Sequence, residues 1–223
     1  MTREMVLSLS EADLCSYTIA QVNAMYPDSR PIQVDDFCSA IPEALARLGY
    51  CFSHVNNKYF FDGKSPIFNH LHGDQYTMWL YFLSNTVYRQ GGDATVCSKL
   101  FLLNKALHGC DIFYEVALPK IFLVVHPLGT VLGRGNYNDF FVAYQRCGVG
   151  SNHNVYPSFG AHVTLRPGAT VLGQSSIGSH CQIAADTLVL DKKIEDGTLV
   201  MGPPNQLRYK PNPTPYSLWR KTK

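Results

Sequence analysis

Residues 157–190 read PSFGAHVTLRPGATVLGQSSIGSHCQIAADTLVL, and this stretch decides the fold. Bulky apolar side chains recur there at every sixth residue: Phe159, Leu165, Val171, Ile177, Ile183 and Val189. A period of six does not match the helical period, but as a multiple of two it fits short strands separated by turns. This spacing is typical of a hexapeptide β-helix, whose coils stack as parallel strands roughly 4.8 Å apart.

The segments on either side of the quoted stretch keep the period less cleanly. Four residues spaced six apart predict the first coils: Ile112, Leu118, Val124 and Thr130. Asn136 breaks the phase, which predicts a one-residue slip near 134–140. The polar, glycine-rich residues 148–156 predict a loop, and we expect the chain to leave the repeat at Asp191.

Residues 1–109 show helical signals instead. An apolar pattern at helical spacing predicts a helix that is kinked at Pro42 and ends at Gly49. Caps of three further helices are predicted at Ser10, Asp74 and Asp93.

Composition excludes several classes of protein. A net charge of +2 with only 16% charged residues argues against a nucleic-acid-binding surface. No apolar run approaches the roughly 18 residues of a membrane span, and the N-terminus does not match a signal peptide. Seven cysteines without a CxxC pair favour reduced thiols and a cytoplasmic location, and they give no support to a zinc site.

Several features outside the quoted stretch carry a resemblance to a known family. Asp111 opens the first coil together with Ile112, and His126 follows Asp111 by fifteen residues, at the start of HPLGTVLG. The turn Gly202-Pro203-Pro204 closes the repeat. With a helical segment ahead of the repeat, residues 74–210 resemble the serine acetyltransferases, within the hexapeptide-repeat acyltransferases.

The resemblance implies an α+β protein with three parts. These are an N-terminal α-helical domain at 1–109, a left-handed parallel β-helix at 110–204 and an extended C-terminal tail at 205–223. It also implies a homotrimer, alone or as a pair of trimers, with acetyl-CoA bound in the groove between two β-helices. Neither a metal, nor nucleic acid, nor a membrane is an expected partner.

The resemblance also assigns a catalytic pair. A histidine titrates in the right range to take the proton of an attacking hydroxyl, and a carboxylate on its other ring nitrogen fixes the tautomer. His126 is therefore the expected general base and Asp111 the residue that orients it. The alternative is that His126 is an ordinary surface histidine and Asp111 a cap of the first coil.

Acetyl-CoA needs an open groove and cations for its phosphates. Gly168, Ala184 and Ala185 are small enough to keep such a groove open, although small residues also suit tight corners of the β-helix. Arg208 and Lys210 follow the closing turn and are candidates for the phosphates. The alternative is that both are solvated charges of the tail.

Two departures from the family pattern concern the acceptor. Val125 stands where the family has an aspartate that holds the serine amino group, and Val155 stands where it has an arginine for the carboxylate. The residues expected to contact the acceptor are Val125, Asn152, His153, Asn154 and Tyr156. Neutral groups favour a sugar or a modified amino acid over free serine.

The sequence leaves several functions open. The leading expectation is an acetyl-CoA-dependent O-acetyltransferase, as in surface polysaccharide biosynthesis. The alternatives are an N-acyltransferase on an amino sugar, a genuine serine O-acetyltransferase, and a non-enzymatic trimeric β-helix protein.

Overall fold

The computed structural model describes residues 4–213 and 218–221. The protein is α+β, with a helical region followed by a left-handed parallel β-helix. It divides into two compact units: Met1–His108 together with Leu218–Lys223, and Gly109–Ser217. No helix in the described ranges is long and apolar enough to cross a membrane.

The first unit is built on four helices: α1 (Glu11–Met25), α2 (Ile41–Phe52), α3 (Gly73–Arg89) and α4 (Ala94–His108). Two short strands, β1 (Val6–Leu7) and β2 (Ile67–Phe68), pair in parallel, and 3-10 turns at Val34–Asp36 and Cys38–Ala40 precede α2. Helix α3 forms the centre of this unit, since every residue from Gln75 to Val87 is buried.

Two of the predicted helix caps are confirmed. The Ser10 hydroxyl accepts a hydrogen bond from the Asp13 N–H at 3.1 Å, and the Asp93 carboxylate accepts one from the Thr95 N–H at 2.6 Å. The third prediction was wrong, because His72 precedes α3 and Asp74 is already its second residue.

The predicted kink and end of the second helix were also wrong. Pro42 is the second residue of α2, where a missing N–H removes no intrahelical hydrogen bond, so it starts the helix without kinking it. Gly49 is buried inside the helix, which runs on to Phe52.

The second unit winds around three sheets. The first sheet contains β3 (Phe122–Val124), β5 (Phe141–Ala143), β8 (Thr164–Leu165), β11 (Gln182–Ile183), β14 (Thr198–Met201) and the antiparallel β15 (Arg208–Pro211). The second contains β4 (Val131–Leu132), β6 (Gly148–Gly150), β9 (Thr170–Leu172) and β12 (Leu188–Leu190). The third contains β7 (Ser158–Phe159), β10 (Ser176–Ile177) and β13 (Lys193–Ile194).

From β5 onwards the chain passes from the first sheet to the second, then to the third, and back to the first. In the first coil, between β4 and β5, an isolated pairing of Asn136 with Ser158 takes the place of a strand of the third sheet. We call the turns that leave the first sheet the first corner, those that leave the second sheet the second corner, and those that leave the third sheet the third corner.

The six-residue period produces a stacked apolar core. Ile177 pairs with Phe159, Ile183 with Leu165 and Val189 with Val171, so each inward side chain lies on its equivalent one coil away. All six are buried, with exposed fractions of 2% or less. This confirms the phase predicted from residues 157–190.

The first coils depart from the predicted phase. After Val124, the next side chain in the inward stack is Leu132, which pairs with Val149 of the next coil. Thr130 is buried at a corner instead, where its hydroxyl donates to the Tyr144 carbonyl at 2.8 Å. Leu118 is only half-buried and does not continue the fully buried stack.

The predicted slip near 134–140 is present. Tyr137 follows Leu132 by five residues, and its ring stacks on that of Phe159 with centroids 5.1 Å apart. Two other expectations were wrong. Gly148–Gly150 forms β6, so the loop begins only at Ser151. The repeat does not stop at Asp191, since β13 and β14 continue it after one interval of five residues.

The tail at 205–223 is divided. Its first part, β15, adds an antiparallel strand to β14. Residues 218–221 belong to the helical unit, where Trp219 is 7% exposed and pairs with Val55. The Arg220 guanidinium also lies over the Phe61 ring, 3.6 Å from its centroid.

Candidate functional site

His126 lies at the first corner of the first coil, two residues after the end of β3. Its backbone is in the left-handed region, with φ of 50°, and its side chain is exposed. The turn is closed by two hydrogen bonds, from the Leu128 N–H to the His126 carbonyl at 2.8 Å and from the Thr130 N–H to the Pro127 carbonyl at 2.9 Å. The corner therefore presents the imidazole to solvent.

Asp111 is brought to the same corner by backbone pairing. Its N–H donates to the Thr130 carbonyl and its carbonyl accepts from the Leu132 N–H, both at 2.9 Å. Two residues earlier, the Gly109 carbonyl accepts from the Gly129 N–H at 2.9 Å. A half-buried carboxylate thus flanks the turn that carries His126.

Thiol groups of this unit do not compete with the imidazole as nucleophiles or bases. Burial, with a smaller effect of neighbouring Asp111, raises the pKa of Cys110 to about 12. Burial also raises the pKa of Cys147 to about 11. Both thiols therefore stay protonated near neutral pH.

The small residues assigned to the cofactor lie at the same corner in later coils. Gly168 follows β8, and Ala184 and Ala185 follow β11. Gly168 has a φ of 75°, and a Cβ there would overlap the Asp186 carboxylate, which lies 3.4 Å from the Arg146 guanidinium. The corner itself therefore requires glycine at 168, whatever it binds.

The loop that follows β6 is a tight hairpin. Asn152 and Val155 exchange two backbone hydrogen bonds of 3.0 and 2.9 Å. Between them, His153 and Asn154 have φ of 49° and 60°, as a type I′ turn requires. His153, Asn154 and Tyr156 are exposed, so their side chains are open to a ligand.

The side chain of Asn152 is engaged within the protein. Its Nδ2 donates to the Asp191 carboxylate at 2.8 Å, and the other oxygen of that carboxylate accepts from the Gln174 N–H at 2.7 Å. This anchor holds the base of the hairpin against the next coils. The amide that we assigned to the acceptor is thus partly used in fixing the loop.

One chain does not bring all the assigned residues together. Asp111, Val125 and His126 lie at the first corner, in line with Gly168, Ala184 and Ala185. The residues of the hairpin, 152–156, leave the second corner instead. The two groups of assigned residues therefore lie at different corners of the β-helix.

Arg208 and Lys210 are exposed on β15, which pairs with β14 through Met201 and Leu199 respectively. Because paired residues project to the same side of a sheet, both side chains lie on the outer face of the first sheet, opposite the inward Val200.

Sequence reasoning missed Arg166, which lies on the same outer face. It aligns with Val125 and Ala184 in one row across the strands. Its Nη2 donates to the Gln182 side chain at 2.8 Å, and its Cζ lies 5.4 Å from the Tyr144 ring centroid. Within the described residues it has no carboxylate partner. Its position directly after the inward Leu165 could have identified it.

The fold and this corner define a hexapeptide-repeat β-helix protein with a histidine and an aspartate at the start of the helix. In the described part of the chain, no group of three histidine, cysteine or acidic side chains could hold a metal ion.

Solved structures with a similar fold include serine acetyltransferases. The enzyme from Vibrio cholerae O1 biovar El Tor N16961 superposes with a TM-score of 0.70 over 93% of this chain and 81% of its own, at 16% identity. The enzyme from Brucella abortus strain S19 in complex with coenzyme A gives 0.68 over 91% and 82%, at 18% identity. That from Neisseria gonorrhoeae gives 0.68 over 93% and 84%, at 17% identity. No family model matches the chain, and no curated protein matches its sequence.

Proposed function

We propose that this protein is an acetyl-CoA-dependent O-acetyltransferase. The observation that carries the proposal is the placement of Asp111 and His126 at one corner of the first coil, in line with the small residues of later coils. An exposed histidine, on a turn whose following strand pairs with the backbone of a half-buried aspartate, is suited to take a proton from a hydroxyl. The shared fold with serine acetyltransferases, one of them solved with coenzyme A, supports this assignment.

The reaction requires one proton to move twice. The acceptor oxygen attacks the thioester carbonyl while His126 takes its proton, and Asp111 stabilises the imidazolium that forms. The tetrahedral intermediate then expels the CoA sulfur, and His126 passes the proton that it took from the acceptor to this sulfur. A backbone N–H at a corner would stabilise the oxyanion.

Acetyl-CoA is proposed to run along the first corner from His126 towards the later coils. Arg166 follows β8, and His126 follows β3. These two strands are two positions apart in the first sheet, which corresponds to roughly 10 Å. With Arg208 and Lys210, Arg166 gives the outer face of the first sheet three cations for phosphate groups. The absence of a carboxylate partner for Arg166 among the described residues supports this role.

A homotrimer is part of the proposal. The hairpin at 152–156 and His126 leave different corners, so the hairpin of one chain would complete the site at the first corner of its neighbour. The seven cysteines are free in the structure, which supports a cytoplasmic location.

The acceptor is proposed to be a neutral hydroxyl compound, such as a sugar in surface polysaccharide biosynthesis or an amide-masked amino acid. Val125 and Val155 offer no charge, and the other exposed residues of the hairpin are His153, Asn154 and Tyr156. Free serine is the second candidate, because the similarity to serine acetyltransferase structures extends over more than nine-tenths of this chain.

A panel of acceptors tests the proposal directly. Purified protein is incubated with acetyl-CoA and sugars, nucleotide sugars, amino sugars, N-acylated serine or free L-serine, and release of the free CoA thiol is followed. We expect thiol release with a neutral hydroxyl acceptor and its loss in His126→Ala. Thiol release that persists undiminished in His126→Ala would contradict the proposed base.

A further inference from the structure

The third corner carries a column of stacked rings. Phe140, His162 and His180 occupy equivalent positions in three coils, because the strands that follow them pair in register. The rings of Phe140 and His162 are 4.2 Å apart and 6° from parallel, and those of His162 and His180 are 4.7 Å apart and 9° from parallel. All three residues have left-handed φ values, of 68°, 59° and 57°.

The column stops at a glycine. Gly197 holds the equivalent position in the next coil, since Leu199 pairs with Gln182, and its φ is 66°. Apart from Gly197 itself and its two chain neighbours, no atom of the described residues lies within 4 Å of the point where a Cβ on Gly197 would stand. His180 is exposed, and coils are roughly 4.8 Å apart, so one further ring fits over its outer face.

The backbone around this open position is held in place. The Asn212 N–H donates to the Gly197 carbonyl at 2.7 Å, and its side-chain amide donates to the His180 carbonyl at 2.9 Å. Lys210, two residues earlier on β15, is exposed and starts roughly 7 Å along the strand from Asn212. That separation is comparable to the one between a nucleotide base and its 5′-phosphate.

We propose that the open position over His180 binds the base of an adenine nucleotide, with Lys210 contacting a phosphate. Flat bases stack on aromatic side chains, and a cation at this distance complements the phosphate. His162 is not available in the same way, because Phe140 and His180 cover its two faces. A purine also covers an imidazole more completely than a pyrimidine does.

The adenine has two possible sources, CoA itself or a free nucleotide. The first source rests on the acetyl-transfer function proposed above, and the second does not. Both would use the same stacking contact, so the experiment first measures the contact and then separates the sources.

The stacking contact is tested by titrating AMP into the full-length protein. Saturation-transfer NMR detects contact with the adenine protons, and the titration gives the dissociation constant. We expect binding by the wild type, roughly tenfold or greater weakening in His180→Ala, and retention in His180→Phe, which keeps a flat ring. Gly197→Asn should also abolish binding, because asparagine tolerates the left-handed region and fills the position. Lys210→Ala should weaken AMP more than adenosine, whereas Lys192→Ala, a matched exposed lysine, should change neither.

The absence of AMP binding to the wild type would overturn the proposal, as would unchanged affinity in both His180→Ala and Gly197→Asn. If His180→Ala does not fold, Gly197→Asn provides the same test with the column intact.

Competition between CoA and AMP then identifies the source of the adenine. The adenine is that of CoA if CoA displaces AMP and if His180→Ala raises the KM for acetyl-CoA without raising the KM for acetyl-pantetheine. AMP binding without displacement by CoA indicates a free nucleotide. Acetyl transfer is scored separately, so loss of either proposal leaves the other standing.

Discussion

The carboxylate of Asp191 accepts a hydrogen bond from the side-chain amide of Asn152 at 2.8 Å and one from the Gln174 N–H at 2.7 Å. It thereby links the hairpin to the coil that follows it. Asp191 itself has a left-handed φ of 51°, which asparagine tolerates and alanine does not. We therefore expect Asp191→Ala to lower the free energy of unfolding by about 1–2 kcal/mol and to raise the KM for the acceptor more than that for acetyl-CoA. Asp191→Asn, which keeps one accepting oxygen, is the matched control. Equal KM values for the acceptor in both variants and the wild type would show that the anchored hairpin does not contact it.

The apolar stack makes a sharp prediction about stability. Ile177 is 2% exposed, and the inward side chains that pair with it on either side, Phe159 and Ile194, are both apolar. Ile177→Asp should therefore cost several kcal/mol, on the order of the burial of an unpaired charge. Ser176→Asp, one residue earlier and exposed, should change the melting temperature little. Similar melting temperatures for the two variants would contradict the assignment of Ile177 to the core.

His126→Ala should leave the melting temperature and CoA binding near those of the wild type, because the side chain is exposed. Turnover should fall roughly 10²–10⁴-fold, the usual contribution of a general base. Asp111→Asn should reduce turnover less, since it keeps the shape of the group that orients the ring. A larger loss in Asp111→Asn than in His126→Ala would assign the proton transfer to a different group.

Free L-serine should be a poor acceptor. An ammonium and a carboxylate lose hydration on binding, and neither Val125 nor Val155 replaces it. Steady-state kinetics with L-serine and acetyl-CoA provide the measurement, with N-acylated serine as the matched neutral compound. A kcat/KM for L-serine of about 10⁴ M⁻¹s⁻¹ or more, the ordinary range for a cognate substrate, would show that charged groups are supplied from elsewhere.

The lowered pKa values of two half-buried histidines predict how the free energy of unfolding depends on pH. Burial lowers the pKa of His108 to about 4, despite a hydrogen bond with Asn104. Burial, and next the neighbouring His180, also lowers the pKa of His162. The unfolded chain therefore binds more protons than the folded protein below about pH 6.5, so stability falls with decreasing pH, and for His108 it continues to fall towards about pH 4.

Thermal unfolding between pH 7.5 and 4.5 measures this dependence. His108→Gln and His162→Gln should each flatten the curve, since glutamine does not titrate. A curve with an unchanged slope in both variants would place the titrating groups elsewhere.

The sequence predicted those features that depend on one coil repeating the previous one. The phase from Phe159 to Val189 follows because every inward side chain must be apolar, and the short interval before Tyr137 follows from the break in that phase. The catalytic pair of His126 and Asp111 stays a prediction, made from the family resemblance and a spacing of fifteen residues.

The sequence did not reveal contacts that depend on which coils lie next to each other. The link between Asn152 and Asp191 joins residues 39 apart, across a hairpin whose length no period fixes. The column that ends at Gly197 was missed for the same reason, since its members lie 22, 18 and 17 residues apart. Pro42 was misread because a proline within an apolar pattern is equally compatible with the first turn of a helix.

Strand β15 has a consequence for how the protein behaves at high concentration. A parallel β-helix ends in unpaired backbone groups, onto which another molecule could add its own strands and grow a fibre. Here the chain folds back and occupies the last strand of the first sheet itself, in the opposite direction. The new outer edge carries two cations and a proline, at Arg208, Lys210 and Pro211, all of which disfavour further pairing. Strand β15 thereby caps this end of the first sheet and disfavours polymerisation through it.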